Sequence, residues 1–201
     1  FSETAWKVFN HSVDNYHFND DVNFIIENPY EEASLEQILY AKNWIDSVQW
    51  HLEDIIREED INPEEALSLK RKIDASNQKR TDLVEYVDDW FFKKYQHIIP
   101  NSDAKINTET IAWAVDRLSI LALKVYHMKQ EAFRESASAE HRGKCELKLN
   151  VLLEQHKDLS QAIDQLLVDI ENGTVKMKLY KQMKMYNDES LNPILYQKTK
   201  K

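Results

Sequence analysis

Only two of the 201 residues are glycine and only four are proline. This shortage constrains the fold more than any other feature, because tight turns and β-hairpins depend on glycine. A chain with so few turn-forming residues is typically built from long helices with few connections. We therefore predict an all-α fold, an antiparallel up-and-down bundle of four long helices with additional N- and C-terminal helices packed outside it.

Capping signals set the expected helix boundaries. Ser34 with Gln37 forms a capping-box pattern, and Asn62-Pro63 places a cap directly before a favourable first helical residue. The four long helices are predicted at 34–59, from 63 to about 98, from 107 or 108 to about 135, and from 138 to Gly173. Shorter helices are predicted from Glu3 to Tyr16 and from Val175 to Tyr186. We expect residues 1–186 to form one domain and 187–201 an irregular basic tail.

The charge is unevenly distributed along the chain. Residues 1–65 carry 16 acids and three bases, 174–201 carry seven lysines and two acids, and the whole chain has a net charge of −9. An acidic body lacks the basic face that nucleic acid requires, so we expect no nucleic-acid partner. The basic tail is expected to lie on the acidic N-terminal third or on another anionic surface, or to be solvated.

The single cysteine, Cys145, rules out an internal disulfide and fits a reducing compartment. We interpret Cys145 as a small core residue rather than a nucleophile. The sequence contains neither a signal-peptide pattern nor an apolar run long enough to cross a bilayer. These features predict a cytoplasmic protein without a transmembrane segment.

The helix predicted from Pro63 loses its apolar residues between Ile73 and Leu83, where only Ala75 is apolar. Asn77 and Arg80 nevertheless fall on the same helical stripe as buried-type residues before and after the interruption. An arginine on such a stripe requires a partner. This interruption is therefore the first place to look for a site.

Two other helices carry similar polar stripes. One has Asp46, Trp50, Glu53 and Arg57 at spacings of 4, 3 and 4, and an acid of this stripe is expected to pair with Arg80. The helix from Thr108 is apolar around most of its circumference, and its few polar residues include Asp116 and Arg117. His156 lies among leucines and is interpreted as a hydrogen-bonded core histidine.

We expect these stripes to meet midway along the bundle and to form a pocket for an anionic small molecule that can contain phosphate. Arg57, Arg80 and Arg117 would hold the anion, because guanidinium groups bind carboxylates and phosphates bidentately. Asn77 would add a neutral hydrogen bond. The acids would orient the arginines or bind a cation: Asp46, Glu53, Asp74 and Asp116. Two other interpretations are a self-satisfied salt-bridge network and a solvent-facing stretch of helix.

Motifs for known chemistry are absent or incomplete. Glu85 and Asp88, with Glu53-Asp54 on the preceding helix, weakly resemble the paired acids of magnesium-dependent nucleotide pyrophosphohydrolases. His17 with Asp21 and His127 with Glu131 have metal-compatible spacing, but we interpret both as helix-surface pairs. The sequence therefore predicts no metal site, identifies no cofactor and leaves enzymatic activity undecided.

Several segments together resemble an uncharacterised bacterial family, domain of unknown function 4254. They are residues 42–46 with 50–54, 69–74 with Asn77-Gln78, 114–120, and 180–187. The resemblance covers nearly the whole chain and implies a bacterial, cytoplasmic helical protein. It implies no activity, substrate or catalytic residue.

The rival to a binding pocket is a non-enzymatic interaction protein, which can be a homodimer. Trp90-Phe91-Phe92 and Met183, Met185 and Tyr186 are candidate interface residues, because aromatic residues and methionine are enriched at interfaces. Core packing is the alternative explanation for both segments.

Overall fold

The computed structural model describes residues 1–181, 188 and 190–197. Five long helices make up most of the chain, and the sixth is a single turn. Their bounds are α1 Ser2–Asn19, α2 Leu35–Ile55, α3 Pro63–Tyr95, α4 Ile111–Phe133, α5 Ala139–Glu171 and α6 Pro193–Tyr196. The all-α helical bundle expected from the sequence is confirmed, and none of the described helices is long and apolar enough to cross a membrane.

The helices α2 to α5 each begin where a capping side chain satisfies a free backbone N–H group. Ser34 accepts from the amide of Gln37, Asn62 from Glu64, and Ser138 from His141. The cap of α4 is Thr110, which accepts from the amide of Trp113, so the predicted start at 107 or 108 is two to three residues early. The loops 56–62 and 134–138 are short, which makes the helices that they join antiparallel neighbours.

The N-terminal helix is part of the core, not an addition outside it. Ala5, Val8, Phe9, Val13 and Tyr16 of α1 are each at most 3% exposed. The helix packs against α2, α4 and α5. It also runs past the predicted end at Tyr16 to Asn19, where Asp20 ends it in a left-handed conformation. The expectation that α1 lies outside a four-helix core is therefore wrong.

The predicted helix from Val175 to Tyr186 is wrong for its described part, and residues 182–187 lie outside the described residues. Gly173 ends α5 with a φ of 70°, as expected for a helix-terminating glycine. Val175 then forms a parallel β-bridge with Lys105, whose amide donates to the carbonyl of Thr174. This pairing satisfies backbone groups that a helix would otherwise use, so the chain leaves α5 extended.

Of the basic tail, Lys181 contacts Glu85 and Asp89 of α3 at 3.4 and 3.9 Å. These acids lie outside residues 1–65, so the described contacts are with a different acidic surface from the N-terminal third. The Lys181 side chain remains 63% exposed, so we assign these contacts little energy.

Candidate functional site

Four charged side chains from three helices meet inside the bundle. We call Lys42 and Asp46 of α2, Arg80 of α3 and Asp116 of α4 the ionic cluster. The side chains of Lys42 and Asp46 are 1% exposed, that of Asp116 is 8% exposed and that of Arg80 is 23% exposed. The expected convergence of polar stripes therefore occurs for Asp46, Arg80 and Asp116.

Each charge in the ionic cluster has an opposite partner. Lys42 Nζ lies 2.5 Å from Asp46 Oδ2 and 2.6 Å from Asp116 Oδ1. Arg80 Nε donates to Asp46 Oδ1 at 2.6 Å, and Nη2 lies 3.5 Å from Asp116 Oδ1. Two acids thus balance two bases, which offsets the cost of placing these groups in the interior.

Neutral side chains complete the hydrogen bonding. Ser119 Oγ donates to Asp46 Oδ2 at 2.6 Å, and Asn43 Nδ2 donates to Ser119 Oγ at 3.0 Å. Arg80 Nη1 donates to Asn77 Oδ1 at 3.2 Å. Burial works against the charge of Arg80, but Asp46 and then Asp116 outweigh it and raise the pKa of Arg80.

A groove of about 350 Å³ lies beside the ionic cluster. Five residues of the predicted site line it: Asp46, Trp50, Glu53, Arg57 and Arg80. Four further residues complete the lining: Gln49, Asp54, Ile120 and Leu123. The combination of two guanidinium groups, three carboxylates and an indole gives the groove both polar and flat apolar surfaces.

Four predicted site residues do not line the groove. Asn77 and Asp116 contact Arg80 beside it, whereas the other two lie away from the ionic cluster. Asp74 pairs with Lys70 on the surface of α3, and its side chain is 46% exposed. Arg117 pairs with Glu109, and its side chain is 59% exposed. Successive residues of a helix point about 100° apart, so Arg117 faces away from the ionic cluster although Asp116 belongs to it. Only Arg80 and Arg57, not three arginines, are available to an anion in this groove.

Sequence reasoning missed Lys42. It lies one helical turn before Asp46 and is one of only three bases in residues 1–65. An isolated base one turn before a stripe of acids was the available signal, since i and i+4 side chains share a helix face.

The acids proposed for magnesium have other partners. Asp88 of α3 is buried against the start of α4, where it accepts hydrogen bonds from Thr110 Oγ1 at 2.7 Å and from the amide of Ala112 at 3.2 Å. Burial raises the pKa of Asp88 despite these bonds. Among the described residues, no group of three or more potential metal ligands includes Asp88, Glu85 or the pair Glu53-Asp54.

The predicted surface pairs of His17 and His127 do not form. His17 Nδ1 donates to the carbonyl of Val13 at 2.7 Å, and Glu131 pairs with His141 and Arg134 instead. Both histidines are partly buried and their rings approach each other to 5.0 Å. Cys145 is buried as expected. The expected core position of His156 is wrong, since the residue is only partly buried and stacks on Trp6 with ring centroids 3.6 Å apart.

A family described as protein of unknown function, DUF4254, matches residues 36–179. The chain belongs to this family. No curated protein and no solved structure matches the chain. In this DUF4254 member the match spans α2 to α5 and so contains every residue of the ionic cluster and of the groove. The match ends before the segment 180–187 that contributed to the resemblance.

Proposed function

We propose that the protein binds a small anionic molecule in the groove beside the ionic cluster. The observation that carries this proposal is the fixed position of Arg80. Its described hydrogen bonds to Asp46 and Asn77 and its ion pair with Asp116 hold the guanidinium at the edge of the groove, and the N–H groups outside these contacts can donate to a ligand. Because the side chain is already held, binding would cost little further ordering.

The other groove residues narrow the ligand class. Arg57 adds a second, exposed guanidinium, while Trp50 and Leu123 supply apolar surface for a ring or short chain. The Oε1 atom of Gln49 is buried and has no hydrogen-bond partner among the described residues, so it can accept from a ligand N–H or O–H group. A volume of about 350 Å³ suits a small metabolite.

The acids set an upper limit on ligand charge. Asp46 is occupied by Lys42, Arg80 and Ser119, but Glu53 and Asp54 lie at the groove with only Arg57 and Gln49 as described polar partners. Their charges would repel a polyphosphate. A compound with one carboxylate or one phosphate monoester, a donor group and a flat body fits best.

The test is a thermal-shift screen of such compounds followed by calorimetry, with adenosine monophosphate, a hexose monophosphate and aromatic amino acids as the first probes. A bound ligand raises the melting temperature by mass action. We compare Arg57→Gln with Arg117→Gln, since both arginines are exposed and paired with a glutamate but only Arg57 lines this groove.

Loss of a charge-assisted hydrogen bond predicts roughly tenfold weaker binding for Arg57→Gln. Arg117→Gln should bind as the wild type does. Equal effects of the two substitutions, or the reverse order, would place the anion elsewhere and end the proposal.

The rival interaction protein has support from one observation. Leu147 and Val151 lie one turn apart on α5 and are 69% and 53% exposed. Of the interface candidates expected from the sequence, Phe91 is in the core and only Phe92 is substantially exposed, while Met183, Met185 and Tyr186 lie outside the described residues. Light scattering after size exclusion should show a dimer that Leu147→Glu converts to a monomer. A wild-type protein that is monomeric in this measurement would contradict the homodimer hypothesis.

A further inference from the structure

Three histidines from three helices converge at the end of the bundle where α1 and α2 finish. We call His17 of α1, His51 of α2 and His127 of α4 the histidine trio. One ring nitrogen of each lies within 4.8 Å of those of the other two, and the Nε2 atoms of His17 and His51 are 3.2 Å apart. Nothing in the ionic cluster or the proposed groove chemistry requires this arrangement.

We propose that the histidine trio binds a divalent transition metal ion, with zinc as the reference ion. Zinc–nitrogen bonds of about 2.0–2.1 Å in a tetrahedral arrangement separate two ligand nitrogens by about 3.3 Å. The observed separation of His17 and His51 is therefore already that of two zinc ligands. Imidazole nitrogens also suit nickel, copper and iron, so the ligand set selects this class of ions rather than magnesium or calcium.

The proton of His17 is placed as a metal ligand requires. A carbonyl oxygen only accepts, so the 2.7 Å contact with Val13 puts the proton of the neutral ring on Nδ1. Nε2 then carries the lone pair, and in the metal-free protein it accepts the Nε2 proton of His51 at 3.2 Å. When an ion takes the place of that proton, His51 keeps its own proton on Nδ1. This backbone contact also fixes the ring orientation, as outer partners of metal-binding histidines do.

His127 carries a buried ring nitrogen without a protein partner. Its Nε2 atom is buried and has no hydrogen-bond partner in the part of the chain that the structure describes. Leaving a buried polar atom unpaired destabilises a protein by about 1–3 kcal/mol, and an ion bound at this nitrogen would remove that cost. Burial lowers the pKa of His17, and burial together with the neighbouring histidines lowers that of His127 to about 4.

An aromatic ring holds each imidazole. Tyr126 stacks on His17 with centroids 4.1 Å apart, Tyr16 on His51 at 5.2 Å, and Trp50 on His127 at 4.7 Å. These stacks restrict ring rotation and so reduce the entropy lost on binding an ion.

The surrounding charges favour a cation. Asp20 and Asp54 act electrostatically on His127, and Asp14 and Asp20 on His17. Asp20 places a carboxylate oxygen 4.0 Å from His51 Nε2. Three protein nitrogens leave one position of a tetrahedral ion, to which Asp20 or a water can bind.

A second group of potential ligands, Glu131, His141 and Cys145, does not support the same inference. The Glu131 carboxylate oxygen that contacts His141 also accepts from Arg134 Nη2 at 2.9 Å. A metal ion there would be repelled by the guanidinium. This group therefore supplies the matched control.

The experiment uses tag-free protein, stripped with EDTA and then dialysed, and titrates it with zinc by calorimetry and with cobalt by visible absorption. We expect one equivalent of zinc bound with micromolar or tighter affinity, and cobalt bands of tetrahedral intensity that zinc abolishes. A wild type that binds no stoichiometric zinc, or that gives only weak octahedral cobalt bands, would overturn the proposal.

Substitutions then assign the site. Loss of an outer partner of a metal ligand weakens binding by about 10–100-fold, so His127→Gln and His51→Gln should each weaken zinc binding by at least about 100-fold. His141→Gln should bind zinc as the wild type does. Wild-type affinity in both His127→Gln and His51→Gln, with circular dichroism showing intact helices, would exclude the trio. Arg57→Gln tests the groove and should leave zinc binding unchanged, so the two proposals fail separately.

Discussion

The ionic cluster and the histidine trio are two polar groups in the same bundle, and they differ in how completely they satisfy themselves. Every charge of the ionic cluster has an opposite partner within 3.5 Å or less. In the trio, His17 and His51 share one hydrogen bond between their Nε2 atoms, and His127 Nε2 has no described partner. A group that completes its own bonding mainly fixes helix register, whereas an incomplete group is prepared for something from outside.

The largest loss of stability is expected when the ionic cluster is broken. Lys42–Asp46 and Lys70–Asp74 are the same i,i+4 pair, buried in α2 and exposed in α3. Asp46→Ala leaves Lys42 and Arg80 short of a counter-charge and should lower the free energy of unfolding by about 3–5 kcal/mol in urea titrations.

Asp74→Ala is the matched control and should lower the free energy of unfolding by roughly 0.5 kcal/mol or less, because exposed ion pairs contribute little to stability. Similar losses for the two alanine variants would show that burial does not distinguish the pairs.

Removing Lys42 should lower the free energy of unfolding by less than removing Asp46 does. In Lys42→Met, Asp46 keeps Arg80 and Ser119, and Asp116 keeps only the longer contact with Arg80. We expect about 2–3 kcal/mol of destabilisation by urea denaturation, compared with little change for Lys70→Met. An unchanged or more stable Lys42→Met protein would mean that Arg80 alone neutralises both acids.

In the histidine trio, by contrast, a substitution is expected to raise the free energy of unfolding. In metal-free protein, His127→Phe removes an unpaired buried nitrogen and keeps a ring that stacks on Trp50. Thermal and urea unfolding in EDTA should show a gain of about 1 kcal/mol. A clear loss of stability would indicate that Nε2 of His127 already has a partner, and the contrast between the two regions would disappear.

The smallest effect concerns His156, a partly buried histidine outside both groups. Burial lowers the pKa of His156, so the folded protein binds fewer protons than the unfolded chain between that lowered pKa and about 6.5. The stability that neutral His156 contributes is therefore fully present above about pH 6.5 and is lost as the pH falls toward the folded-state pKa.

His156→Phe keeps a ring against Trp6 and removes this titration. The stability difference between wild type and variant should shift in favour of the variant as the pH falls from 7 to 5. A difference that stays constant over this interval would show that His156 does not titrate differently in the folded and unfolded states.

Hydrophobic periodicity predicted the buried charges because a charged residue interrupts an otherwise apolar helical stripe. Arg80 stands out between Ile73 and Val84 for this reason, and its pairing with an acid of α2 is confirmed. Arg117 was misplaced because it adjoins Asp116 in sequence, and the 100° step between adjacent helical residues separates them in space. Lys42 sits in an acid-rich helix, where a lysine normally indicates a solvated surface.

The histidine trio could not be predicted in the same way. Its members are 34 and 76 residues apart, on three helices, so no spacing within one helix relates them. Only the way in which α1, α2 and α4 pack brings the rings together, and the depth of α1 in the bundle was itself misjudged. The helix caps at Ser34, Asn62 and Ser138 were predictable because they depend on neighbouring residues.

The family match begins at residue 36, after α1, although α1 supplies Phe9 and Tyr16 to the core and His17 to the trio. The ionic cluster thus lies wholly within the matched segment, while the trio joins two residues of that segment to one from the preceding helix. A change confined to the first helix can consequently remove one imidazole of the trio without altering any residue of the ionic cluster.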